Sequence, residues 1–152
     1  MSSNDYPLPA FHFKVVFSGT GGTWEDTAFK DVSEFGAKVE TETISEGGES
    51  GEKYIVPKGV KYKNLVLKRG IAGSDSELVQ WCKSVIEGNF NTPISLMQIS
   101  LQLLDEAHEP VRVWTFYDAY PVSWDIEAFS AMENKVAIEK IEFCYHSMKR
   151  EK

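Results

Sequence analysis

Phe35-Gly-Ala-Lys-Val-Glu-Thr-Glu-Thr-Ile-Ser-Glu-Gly-Gly-Glu-Ser-Gly-Glu-Lys53 reads as a strand followed by a loop. Phe35, Ala37, Val39, Thr41 and Thr43 suit a core or half-core face, and Lys38, Glu40 and Glu42 suit water. Alternation with period two is the mark of a half-buried strand. Residues 45–53 then carry three glycines and three glutamates in nine positions. Such a segment has high chain entropy and reads as a loop. A further strand follows at about 61–70, with Tyr62, Leu65, Val66 and Leu67. The two strands are expected to form one long hairpin, tipped by residues 45–59.

Outward on the N-terminal side, Phe11-His-Phe-Lys-Val-Val-Phe17 alternates, with Phe11, Phe13, Val15 and Phe17 on one face. Residues 18–23 form a glycine- and threonine-rich turn cluster, and 1–10, with Pro7 and Pro9, an irregular arm. On the C-terminal side, residues 75–87 read as the single helix. Leu78, Trp81, Cys82, Val85 and Ile86 make one apolar stripe. Ser74 and Glu77 have capping-box spacing, and Gly88 suits the position after the helix. A strand at 94–104 alternates Met97, Ile99, Leu101 and Leu103 with Gln98, Ser100 and Gln102. After a turn at 105–110 comes a strand at 111–117, apolar on both faces, broken by Ala119-Tyr-Pro-Val122. In a last strand at 135–145 the apolar positions change parity near Glu139 and Lys140, which suggests a bulge or a change of layer. Six strands and one helix imply a mostly-β barrel or sandwich. No internal repeat or domain boundary is visible, so residues 1–152 read as one domain.

The 152 residues are enough to bury a core unaided. The formal charge of −7 disfavours wrapping of nucleic acid, which needs concentrated Lys and Arg. Two cysteines cannot form a disulfide framework or a four-ligand zinc site. Met1-Ser-Ser-Asn-Asp-Tyr-Pro7 lacks the pattern of a signal peptide. No apolar run is long enough to span a membrane, so no stable membrane insertion is expected.

Little in the chain points to catalysis. Gly19-Thr-Gly-Gly-Thr23 lacks the Lys-Ser/Thr of a phosphate loop and suits a hairpin turn. His12, His108 and His146 have no partner at ligand spacing, and a metal site joining His12 and His146 with Glu139 or Glu142 is disfavoured. Cys82 and Cys144 suit small buried hydrophobes. No nucleophile has a base in a known triad context. The expectation is no enzyme, no catalytic or metal residue, and no cofactor. The unusual features are a long acidic hairpin tip, a neutral polar strand face, and surplus apolar surface of the kind that covers a partner. Open strand edges also invite pairing with another copy.

Six ordered segments carry a resemblance over nearly the whole chain. They are Tyr6-Pro-Leu-Pro-Ala-Phe-His-Phe-Lys-Val15, Phe29-Lys-Asp-Val-Ser-Glu-Phe35, and Val56-Pro-Lys-Gly59 through Leu65-Val-Leu-Lys-Arg-Gly-Ile71. The others are Trp81, Trp114 with Asp118-Ala-Tyr-Pro121, and Asn134-Lys-Val-Ala-Ile-Glu139-Lys-Ile-Glu-Phe143. In this order they resemble the tail tube (inner tube) proteins of contractile phage tails and extracellular contractile injection systems. Glu34 and Phe35 stand where that family has Gly-Leu, and Asp118 where it has Asn.

The resemblance implies a tail-tube-type β-barrel or sandwich with one flanking α-helix and a long β-hairpin loop. It implies a structural subunit whose hexameric rings stack into a tube, with a central lumen for cargo. Implied partners are other copies, sheath protein, baseplate and tube-initiator or cap proteins, and protein or DNA cargo in the lumen. The subunit would be made and assembled in the bacterial cytoplasm and would end in a released particle or virion. Residues 45–59, with Glu46, Gly47, Gly48, Glu49, Lys53 and Tyr54, would reach the neighbouring ring. Glu40, Glu42, Gln98, Ser100 and Gln102 would face the lumen, and Asp75, Glu77, Lys83 and Glu87 would offer sheath a contact. Residues 146–152 would form a C-terminal tail. A monomeric small-ligand-binding β-barrel is the alternative, and it requires a closed barrel with an apolar cavity. A small hydrolase or cupin-like enzyme would need a catalytic constellation that the chain lacks.

Overall fold

The computed structural model describes residues 12–20, 22–26, 29, 31–45, 47, 51–70, 76–88, 93–127 and 137–152. Its elements in chain order are β1 (His12–Gly19), β2 (Gly22–Asp26), β3 (Asp31–Ser45), β4 (Lys53–Gly70), α1 (Glu77–Ile86), β5 (Met97–Leu104), β6 (Pro110–Glu127), β7 (Ile138–Cys144) and β8 (Ser147–Arg150). The protein is mainly β, as its alternating segments require.

Every pairing is antiparallel, in the order β2-β1-β5-β6-β7-β4-β3, with β8 added on β6. β6 belongs to both halves: its first part pairs with β5 and β8, its second with β7. The sheet folds over along this strand. Val15, Phe17, Ile99, Leu101 and Phe116 of one half face Leu65, Leu67, Ile141 and Phe143 of the other, all fully buried. Helix α1 adds Leu78, Val79, Trp81, Cys82 and Val85 to the core. The Trp81 ring stacks on Phe143 with centroids 5.8 Å apart, and its indole N–H donates to the Ser95 carbonyl at 2.9 Å. Among the described residues β2, β3 and β8 each have one paired neighbour, so the sheet has three edge strands.

Several expectations are corrected here. β6 is not broken at 119–122; it runs on for 18 residues. Asp118 takes a left-handed φ of 54° and the register shifts between Pro121 and Ser123. Asp tolerates that region better than most residues, so the strand bends into the second layer instead of stopping. β7 contains no bulge: it pairs in unbroken register with β4 from Leu65↔Phe143 to Gly70↔Ile138. The parity change was caused by Glu139, a charged residue at an inward position and 1% exposed. Val136 lies outside the described residues. The C-terminal tail is largely strand β8, paired with β6 from Trp114↔Arg150 to Tyr117↔Ser147.

The helix starts at Glu77, with Ser76 as a cap that makes no side-chain cap bond. Glu77 is therefore one residue inside the cap, two short of capping-box position. Ser74 lies outside the described residues. Ile86 is exposed and Val79 takes its place on the buried face. Gly88 is needed for a close approach: a Cβ there would sit 2.2 Å from the Ser84 carbonyl oxygen.

Candidate functional site

The hairpin of β3 and β4 is the feature that a lone domain does not explain. β4 has β7 as second neighbour only over Leu65 to Gly70. From Gly36↔Lys63 to Ser45↔Lys53 the hairpin is two strands alone, an arm of roughly 30 Å at ~3.3 Å per residue. A two-stranded ribbon is marginal on its own in water. The expected long loop at 45–59 is thus mostly strand: Ser45 pairs with Lys53, and 53–59 belong to β4.

Register shifts at the base of the arm reset its alternation. Val32 and Phe35, and likewise Tyr62 and Leu65, are three apart yet all pack on the core. Opposite residues of an antiparallel ladder share a face. Tyr62 with Ala37, Val39 with Val60, and Thr43 with Ile55 therefore continue the core-side face along the arm. In this chain alone that face is bare: Val39 is 54% exposed, Val60 54% and Ile55 73%. The expected core-side face at Val39, Thr41 and Thr43 exists, but among the described residues none covers it. The opposite face carries Lys38 with Lys61, Glu40 with Gly59, Glu42 with Val56, and Ile44 with Tyr54.

At the arm base lies a groove of about 730 Å³, lined by Lys38, Lys58, Lys61, Lys63, Glu34, Glu40 and Glu142, with Val39, Thr41, Tyr62 and Asn64 completing its wall. A charged groove differs from the apolar cavity that a ligand barrel requires. Toward the tip, the Tyr54 hydroxyl donates to Glu52 Oε2 at 2.8 Å. Gly47 is exposed with nothing near its Cβ position, and Gly51 takes a left-handed φ of 61°. Glu46, Gly48 and Glu49 lie outside the described residues.

The second candidate surface is the outer face of β2-β1-β5-β6-β8. Gln98, Ser100 and Gln102 share it, with Gln98 exposed and the other two half-buried. Their cross-strand partners are Ser18, Val16 and Lys14 on β1, and Ser100 also lies opposite Thr115, itself opposite Lys149. Gln102 Nε2 donates to Ser100 Oγ at 3.3 Å. Lys14 pairs with Glu25 of β2 at 3.0 Å. Hydroxyls and amides dominate, and much of the charge is matched within the face. Glu40 and Glu42 are not brought to it: β6, β7 and β4 stand between β5 and β3. On the helix, Glu77, Lys83 and Glu87 are exposed, as a contact surface would require. Asp75 lies outside the described residues.

Sequence reasoning missed the buried ionic cluster. Arg69 on β4, 3% exposed, donates from Nε to Glu139 Oε2 at 3.2 Å and pairs through Nη1 with Asp26 at the end of β2. Its Nη2 reaches Ser76 Oγ at 3.4 Å, and its guanidinium lies 5.0 Å over the Phe29 ring. Glu139 also accepts from the Trp124 indole N–H. One side chain thus ties β2, β4, β7 and the helix start together. The signal in the sequence was a glutamate at an inward position of the closing strand.

Burial pushes the Cys82 thiol up to about 12, so it is not a nucleophile at neutral pH. His12 and His108 have ring centroids 5.8 Å apart, while the backbone N–H of His146 donates to the Tyr117 carbonyl at 2.9 Å, between β7 and β8. Among the described residues no group of three or more His, Cys, Asp and Glu side chains is placed to hold a metal ion. No described helix is long and apolar enough to cross a membrane.

The family of T4-like virus tail tube protein gp19 matches residues 9–149. A chain in the structure of the anti-feeding prophage baseplate, 6-fold symmetrised, superposes with a TM-score of 0.79 at 26% identity, covering 96% of each chain. A chain from the sheath/tube terminator of an extracellular contractile injection system in its extended state has a TM-score of 0.75 at 22% identity. It covers 97% of this chain and 99% of its own. The crystal structure of an Hcp protein shares the fold more distantly, with a TM-score of 0.57 at 11% identity over 90% of this chain and 89% of its own. No curated protein matches the chain by sequence.

Proposed function

The chain belongs to the T4-like virus tail tube protein gp19 family, and on that premise we propose that six copies close into a ring whose stacks form the inner tube of a contractile injection particle or contractile tail. The observation that carries this is the bare arm. Its core-side face continues the hydrophobic core beyond the body of the domain, with Val39, Val60 and Ile55 exposed. Exposed apolar surface of this kind marks an interaction site, and in a homopolymer another copy provides the cover. Likeness to a chain of the 6-fold symmetrised anti-feeding prophage baseplate supports the ring.

In this reading Gln98, Ser100 and Gln102 line the lumen. A face of hydroxyls and amides with mostly matched charge offers little for cargo to adhere to. Glu40 and Glu42 stand on the arm where one ring's lumen meets the next. Glu46, Gly47, Gly48, Glu49, Lys53 and Tyr54 make the ring-to-ring contact. Asp75, Glu77, Lys83 and Glu87 meet the sheath, and baseplate and cap proteins bound the stack. The protein acts as a structural polymer without catalysis, assembled inside the bacterial cell and released within a particle that carries protein or DNA cargo.

Sedimentation velocity over a concentration series tests the reading. The expected result is a species six times the 17.2 kDa chain, and larger multiples of it at higher concentration. A single 17.2 kDa species throughout would favour the monomeric alternative.

A further inference from the structure

The groove at the base of the arm gathers seven charged side chains, four lysines with Glu34, Glu40 and Glu142. Lys38 and Lys61 are direct cross-strand partners, and Lys63 follows on the same strand. Like charges placed opposite one another on a ladder repel. Lys58 joins them at the register shift between Glu40 and Thr41. All four lysines are exposed, and among the described residues the ion pairs lie elsewhere, at Lys14–Glu25, Arg69–Asp26 and Arg69–Glu139. Lysines outnumber glutamates in the groove four to three, although the chain as a whole carries a net charge of −7.

We infer that this groove is the receptor for the acidic arm tip of a second copy of the chain. Resting on the tube reading above, the inference names the surface that receives the tip. The tip carries Glu46, Glu49 and Glu52 within seven residues, opposite in sign to the lysines. The described end of the arm stands away from its own groove. Lys38 and Ser45 stand seven residues apart on an extended strand, about 23 Å at ~3.3 Å per residue. Donor and receptor therefore occupy opposite ends of one rigid element. A tip-to-groove contact is then heterologous and repeats along the arm direction. Single exposed ion pairs contribute little; several converging in one groove give register and strong salt dependence.

Zero-length carbodiimide crosslinking tests this directly, since it joins only amines and carboxylates already in contact. The full chain is assembled from equal parts of nitrogen-15-labelled and unlabelled copies and mapped by mass spectrometry. Mixed-isotope links from Lys38, Lys58, Lys61 or Lys63 to Glu46, Glu49 or Glu52 are expected. A Lys38→Glu/Lys61→Glu variant that melts like the parent should lose stacked rings by about tenfold or more. Adding Glu46→Lys, Glu49→Lys and Glu52→Lys to the same chain should restore stacking. Tubes whose four lysines link only to other carboxylates, or whose stacking survives the double reversal, would overturn the groove and leave the tube reading standing. Copies that never associate would overturn both.

Discussion

Arg69 and Glu139 are 3% and 1% exposed, and each satisfies the other. Removing one partner of such a pair leaves the other charge buried without compensation, at about 3–5 kcal/mol. Arg69→Ala is therefore expected to lose most of the stability of the domain in urea denaturation, and Arg69→Lys to recover only part, because the fork to two carboxylates is gone. An Arg69→Ala protein with the parent's midpoint would refute the role given to the cluster. Cys82 makes a different prediction. Its thiol stands at about 12 in the fold against an ordinary 9.0. The folded value is raised, so the contribution is complete below pH 9 and drains away from about 9 to about 12. The expected slope from this group is about 1.4 kcal/mol per pH unit in that window. Cys82→Ala should cost about 1 kcal/mol at neutral pH and show a shallower alkaline decline; parallel declines in both proteins would contradict the assignment. Cys82 was legible as a buried hydrophobe from its helical stripe. Glu139 was not, because a charge on an inward face looks like a change of phase until its partner, 70 residues away, is seen.

The arm and the bend in β6 set the shape of the elements. Ile55 is 73% exposed in the single chain. Ile55→Asp should leave the thermal stability of the monomer within about 0.5 kcal/mol while abolishing assembly; tubes at parental yield would remove the arm's core-side face from the interface. Asp118 holds a left-handed φ of 54°. Asp118→Gly is expected to fold as well as the parent, and Asp118→Val to lose about 1–2 kcal/mol. Equal melting of the two would show that the bend is not held there. The alternation of β1, β3 and β5 was readable in advance, as was the buried face of the helix apart from Ile86 and Val79. Strand lengths were less so. Glycines and prolines such as Pro57 and Pro121 read as breaks, but they lie within β4 and β6, where a ribbon edge or a register shift accommodates them.

For the whole molecule, fold and family were legible because six weak segments stood in the right order, and the family match over residues 9–149 agrees. The proposed surfaces were only partly legible. Period-two patterning says which residues share a face, as for Gln98, Ser100 and Gln102, but not what covers that face. For the arm it could not show that Val39, Val60 and Ile55 project beyond the core of their own chain. The central claim is that another copy covers them. Negative-stain electron microscopy of the purified full chain, paired with its mass in solution, tests this most directly. The expected images are six-fold rings end-on and hollow tubes side-on, with both absent from the Ile55→Asp protein. Dispersed 17.2 kDa particles at every concentration would contradict the claim.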